Sequence, residues 1–358
     1  MTGEDAAMTA GTGARDEARQ KVRDWLTGST ATHVLGAVTR MNLADAIGDG
    51  EADVDDLAKK YDIPVDRFSR FLGALLELGV CEQRASGGVA LTELGSLLRP
   101  GQPDSLHDLV VLMSDEITQR SFAGLETCVR TGRASFEEAF GTSIFAYLAQ
   151  KPELSTVYNA AMGALSAEVA EAVAEHYDFG PFATVTDVGG GNGTLLNAIL
   201  RRNPHLDGIL FDSAEGAAQS AETMRAAGLA ERCAVVTGDF FRSIPDGADL
   251  YLLKSILHDW TDERATAILR RCREAMSARS RLLVIEKVLP DTTGRGVARD
   301  AGLADLTMMV IYSGRERRRA EFEWLCARAG LSVTNVVPLH RDGFAVIEAV
   351  PTGPAEAV

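Results

Sequence analysis

His258 is the histidine of this sequence whose surroundings suit proton transfer. It follows the apolar run Asp249–Leu253 and the charge of Lys254, and it precedes Thr261, a helix-capping residue type. That order predicts a strand, a short connecting segment and a helix, with His258 at the edge of a sheet where ligands bind. Taking a proton from a hydroxyl of pKa about 10 with an imidazole of pKa about 6.5 is uphill by several units. The step becomes feasible if the base acts as the new bond forms and nearby acids stabilise the imidazolium. Two acids could serve in that way. One is Glu286, expected at the end of a strand over 281–285, and the other is Glu316 in the run Ser313-Gly314-Arg315-Glu316-Arg317.

A second group of residues points to a cofactor. Thr184-Val185-Thr186-Asp187-Val188 reads as a strand, Gly189-Gly190-Gly191-Asn192-Gly193 as a tight loop, and residues 194–201 as a helix. Glycines there let backbone approach a ligand closely. The spacing is Asp-x-Gly-x-Gly-x-Gly, which differs from the dinucleotide pattern. A carboxylate at the mouth of the loop would repel a pyrophosphate. It suits the ammonium and sulfonium of S-adenosylmethionine.

Two further acids follow at successive strand ends. Asp212 ends Ile209-Leu210-Phe211 about 20 residues past the loop, where an acid can accept ribose hydroxyls. Asp239 follows Ala234–Gly238 and is placed for an adenine amino group, with Phe240 packing on the ring.

These residues need a scaffold of alternating strands and helices, which implies a doubly wound parallel sheet over roughly 181–350. The fold class is therefore α/β, Rossmann-like. Upstream, residues 17–103 show helix, turn, helix and a small hairpin, the order of a winged-helix module, and 104–180 read as a helical linker bordering the substrate pocket. Residues 1–16 and 351–358 are expected as loose tails. With 358 residues and 46% apolar content the chain can bury more than one core.

Composition excludes several function classes. The net charge of −15 disfavours nucleic acid and anionic membranes as partners. Residues 51–100, which hold the winged helix, carry nine acidic and six basic residues, so a DNA-reading regulator lacks its basic footprint. No apolar segment reaches membrane-spanning length, and the N-terminus lacks a secretory pattern, so the expected location is the cytoplasm. Five scattered cysteines and no acidic cluster of divalent-site spacing leave no metal expected. The other histidines (His33, His107, His176, His205 and His340) read as structural or surface residues.

The four pieces Asp187–Gly193, Gly238–Phe241, Lys254–Trp260 and Gly314–Arg317 together resemble the plant-type small-molecule O-methyltransferases, of caffeate and acetylserotonin kind, including bacterial members that decorate antibiotics. The resemblance covers almost the whole chain. It implies transfer of a methyl group from S-adenosylmethionine to a hydroxyl of a small aromatic molecule, with His258 as general base flanked by Glu286 and Glu316. It assigns cofactor contacts to Gly189, Asp212, Asp239, Phe240 and Lys254, beside Asp187, Gly191 and Ser255. Phe145, Asn159, Met162, Asp259, Asp305, Met308 and Met309 are expected to face the acceptor, as is Tyr312. The resemblance also implies a homodimer joined through the N-terminal region. Ser121 and Phe122 depart from the aromatic substrate-facing pattern, and the loop before Glu316 is short, so the acceptor's identity stays open. A relative that keeps the cofactor but performs hydroxylation or decarboxylation is the alternative enzyme reading.

Overall fold

The computed structural model describes residues 3–102, 104–291, 301–339 and 343–352. The chain divides into two compact units, one through Glu116 and one from Ile117 onward. The division falls inside the stretch 104–180 expected as a linker. The reason is local: the helix His107–Met113 packs on the first helix, and the Arg40 guanidinium donates to the Ser114 hydroxyl at 2.8 Å.

The first unit opens with one long helix, Gly3–Arg40. Helix thus begins where a loose tail to Asp16 was expected, in a stretch containing Ala6, Ala7, Ala10 and Ala14, the strongest helix formers. Two helices follow, Val54–Lys60 and Val65–Glu77. The first starts cleanly because the Asp53 carboxylate accepts the amide hydrogens of Asp55 and Asp56. Strands β1 (Glu51–Ala52), β2 (Cys81–Gln83) and β3 (Val89–Leu91) form a small antiparallel sheet in the order β1-β3-β2. Phe68, Leu72 and Leu75, on one face of the second helix, join Val38, Leu57 and Val89 in the core of this unit.

The second unit is built on β4 (Thr184–Val188), β5 (Asp207–Asp212), β6 (Cys233–Thr237), β7 (Leu250–Lys254), β8 (Arg281–Leu289), β10 (Leu331–Pro338) and β11 (Phe344–Pro351), with the short β9 (Arg317–Arg318) alongside. The sheet order is β10-β11-β8-β7-β4-β5-β6, and β9 pairs with β8. Strands β4 to β8 run parallel, and β11 enters antiparallel. Along β7, Leu250 and Leu252 join one core layer while Tyr251 and Leu253 join the other. That alternation buries both faces of the sheet under helices and explains the continuous apolar run in the sequence.

Because β5 lies on one side of β4 and β7 on the other, the strand order reverses at β4, and the crevice beyond the carboxyl end of such a switch point is where open α/β sheets bind ligands. The structure differs from expectation at β8, which continues past Glu286 to Leu289. Pairing with β9 and β11 holds the extra residues, so Glu286 lies within the strand rather than at its end. Likewise β11 takes in Pro351, while residues 353–358 and His340 lie outside the described residues. No helix among the described residues is long and apolar enough to cross a membrane.

Candidate active site

The base segment comes first, because its backbone is the most heavily constrained. Between β7 and the helix Asp262–Ala275, residues Leu257–Asp259 form one 3₁₀ turn that carries His258. Thr261 caps the following helix by accepting from the Arg264 amide. Ser255 takes a left-handed conformation, φ 54°, to start the turn. Arg317 secures it: the guanidinium, fully buried, donates to the Leu257 carbonyl (2.7 Å), the Trp260 carbonyl (2.7 Å) and the Asp262 carboxylate (2.9 Å). Gly314 lies against the same turn so closely that a Cβ there would collide with the His258 carbonyl.

Three carboxylates converge on the imidazole. Glu316 holds Nδ1 at 3.0 Å, and Glu286 faces the same nitrogen at 3.5 Å. Asp259 lies 3.6 Å from Nε2. The other Glu286 oxygen accepts the amide hydrogens of Ile256 (3.0 Å) and Leu257 (2.8 Å). Both glutamates are buried, and each leaves one oxygen without a hydrogen-bond partner. Burial alone depresses the His258 pKa, but Glu286, Asp259 and Glu316 together overcome it and raise the value to about 10. Burial also raises the Glu286 carboxyl, with His258 and its two backbone bonds opposing. Acid and base both shifted upward mean that the cluster as a whole retains a proton. The ligating atoms of His258, Glu286 and Glu316 lie within 4.8 Å of one another, near enough to share an ion as well as a proton. Sequence spacing could not show that, since the three come from separate elements.

The cofactor crevice is formed by the loop after β4. Gly189 has φ 73°, and a Cβ on it would run into the Ile256 side chain. Gly191 donates its amide to Asp212 at 2.8 Å. Asp187 is buried, one of its oxygens has no partner, and burial lifts its pKa to about 7 despite Lys254. Lys254 donates to Ser166 (2.5 Å) and Ser255 (3.3 Å). Asp239 is exposed and accepts from the Phe241 amide, and Phe240 packs edge-on to Phe241. A glycine cradle, an orphaned buried carboxylate and a strand-end acid fit the cationic methionyl part and the ribose of S-adenosylmethionine.

The residues expected to face the acceptor divide. Phe145 stacks on Trp260 (5.4 Å) and lies 5.8 Å from the Tyr312 ring. Met308 and Met309 open the π-helical turn Met308–Tyr312, and Met162 sits on the helix Pro152–His176. Asn159 instead bonds the Glu215 carbonyl beside the cofactor crevice. Asp305 accepts the Glu316 amide at 2.7 Å. Sequence reasoning missed Arg317 and Gly314 as positioning residues, although both stand in the run that identified Glu316. His107, His176 and His205 bond nearby backbone carbonyls, in keeping with structural roles.

Comparison with known proteins places the chain in a family. Residues 122–332 match the O-methyltransferase domain. The chain is 39% identical to the O-demethylpuromycin-O-methyltransferase of Streptomyces alboniger, over 93% of this chain and 89% of that one. The crystal structure of LaPhzM superposes with a TM-score of 0.88 at 37% identity, covering 93% and 99% of the two chains. NcsB1, solved with S-adenosylmethionine and 2-hydroxy-5-methyl naphthoic acid, gives 0.75 at 30% identity, covering 90% and 96%. The aclacinomycin 10-hydroxylase RdmB of Streptomyces purpurascens is also similar, 35% identical over 84% of this chain and 81% of that one. On these grounds the chain belongs to the O-methyltransferase family, enzymes that use S-adenosylmethionine as methyl donor.

Proposed function

We propose that this enzyme methylates a phenolic hydroxyl of a small aromatic natural-product intermediate, with His258 as general base. The 3.0 Å bond from His258 Nδ1 to Glu316, with Glu286 behind it, carries the proposal. A proton on Nδ1 is fixed between imidazole and carboxylate, which leaves Nε2 to take the acceptor's proton. A base of pKa about 10 matches a phenol of pKa about 10, so the transfer is close to thermoneutral once one proton has left the complex. The cofactor supplies an electrophilic methyl group. The chain's own residues supply position: Arg317 and Gly314 fix the base turn, and Asp187, Asp212 and the glycine loop hold the donor in line. The aromatic substrate bound in NcsB1 supports the acceptor class.

The N-terminal unit is proposed as a winged-helix module that joins two copies of the chain. Val22, Trp25 and Leu26 lie on one face of the long helix and are exposed by half or more, an apolar patch a second copy would cover. Five free, buried cysteines support a cytoplasmic location.

Hydroxylation in the manner of the RdmB name is the second reading. Incubation with S-adenosylmethionine and a phenol panel separates the two by product mass. Methylated phenol with matching S-adenosylhomocysteine supports methyl transfer; an oxygenated product without methylation overturns it. His258→Ala should lower turnover roughly 10²- to 10⁴-fold while cofactor affinity holds, and full activity would remove His258 from the role.

A further inference from the structure

Two tyrosines on different elements meet through their hydroxyls. The Tyr158 hydroxyl, on the helix Pro152–His176, lies 2.8 Å from the Tyr312 hydroxyl, on the last residue of the π-helical turn. Two hydroxyls carry two hydrogens, and their mutual bond uses one. Neither hydroxyl has another hydrogen-bond partner among the described residues. One donor is therefore left over in a partly buried place, free to meet a bound molecule.

The surroundings define what that donor can meet. Burial pushes both phenols far above their ordinary range, and the charge of Asp259 adds to this in each, so the pair stays protonated. Tyr312 follows Met308 and Met309 on the π-helical turn, and its ring lies 5.8 Å from Phe145, so the pair stands among the residues expected to face the acceptor. Asp212 also bears on Tyr158, and two carboxylates nearby disfavour an anionic group. Phe145 and Trp260 give the Tyr312 ring a flat apolar wall.

We infer that the Tyr158–Tyr312 pair is an acceptor-reading subsite that donates one hydrogen bond to a neutral second oxygen, a ring carbonyl, on the aromatic substrate. This rests on the proposed acceptor class and narrows it to hydroxyarenes that carry a carbonyl.

Binding to the full-length enzyme loaded with S-adenosylhomocysteine tests it without requiring turnover. The probes are 6-hydroxy-1-tetralone and 7-hydroxy-1-tetralone, against 5,6,7,8-tetrahydro-2-naphthol, which lacks the carbonyl. The wild type should bind at least one tetralone roughly tenfold more tightly than the naphthol, as one neutral hydrogen bond allows. One of Tyr158→Phe and Tyr312→Phe, whichever removes the outward donor, should abolish that preference, the other should at most weaken it, and the double variant should do no more than the more damaging single one. Equal affinities in the wild type, no binding of any probe, or a preference that survives both substitutions would overturn the inference. A pair that merely ties the helix to the turn would lower the melting temperature of the Phe variants and leave the preference intact. Failure of methyl transfer would instead appear as tetralone binding by this complex with no methylated tetralone once S-adenosylmethionine replaces S-adenosylhomocysteine.

Discussion

Glu286 faces His258 across 3.5 Å with one carboxylate oxygen, while the other takes the amide hydrogens of Ile256 and Leu257. The same side chain therefore sets the charge on the imidazole and holds the backbone that carries it. Charge and position can be separated by substitution.

Glu286→Gln keeps a hydrogen-bond acceptor for the two amides and removes the charge. The His258 pKa should fall toward its ordinary value, so the rise of kcat/KM with pH should level off at lower pH than in the wild type. Turnover should drop about tenfold or more, because the imidazolium loses a stabilising partner. A pH profile identical to the wild type would exclude electrostatic coupling between the two residues.

The wild-type profile has a definite sign. With a pKa of about 10, His258 is protonated in the free enzyme at neutral pH, and the productive state needs one proton fewer. Activity at subsaturating acceptor should therefore climb by nearly tenfold per pH unit from pH 7 to 9. Initial rates with a phenol of pKa near 10 check this, and a plateau beginning at pH 7 would contradict it.

Asp187 holds a buried carboxyl whose pKa is lifted to about 7, chiefly by burial. The folded state thus prefers the neutral acid. Stability from this group is fully present below about pH 4 and is lost as pH rises from there to about 7. Asp187→Asn should raise the melting temperature of the ligand-free enzyme at pH 8 by a few degrees, with the advantage shrinking toward pH 4. The same variant should bind S-adenosylmethionine more weakly. Calorimetry of both properties decides the matter, and a destabilised variant with unchanged affinity would refute the assignment.

Arg317→Met removes three hydrogen bonds and leaves the Leu257 and Trp260 carbonyls without the guanidinium, while Asp262, a third exposed, still has Arg315 at 4.0 Å. A cost of about 2–4 kcal/mol is expected, mostly from the two carbonyls left without a donor. Denaturant midpoints measure it. In material that still folds, kcat should fall far more than the cofactor KM rises, because the 3₁₀ turn carrying His258 loses its anchor.

The sequence by itself determined much of this protein. The glycine loop, the strand-end acids Asp187, Asp212 and Asp239, and His258 after its strand were legible because each depends on local periodicity and turn chemistry. Candidate partners for the base were nameable for the same reason. Tertiary structure decided what those residues do to one another. Glu286 on β8, Glu316 before β9 and His258 after β7 meet only because three parallel strands come into register. The rise of the His258 pKa follows from that meeting and from burial, neither of which is a property of sequence spacing. Only the folded chain shows that Asp305 accepts the Glu316 amide and that Asn159 donates to the Glu215 carbonyl, because those partners lie far away in sequence. Arg317 went unread because an arginine in a charged run looks like a solvated surface residue. Folding placed it at full burial beneath the turn that carries His258, where it meets two carbonyls and one carboxylate.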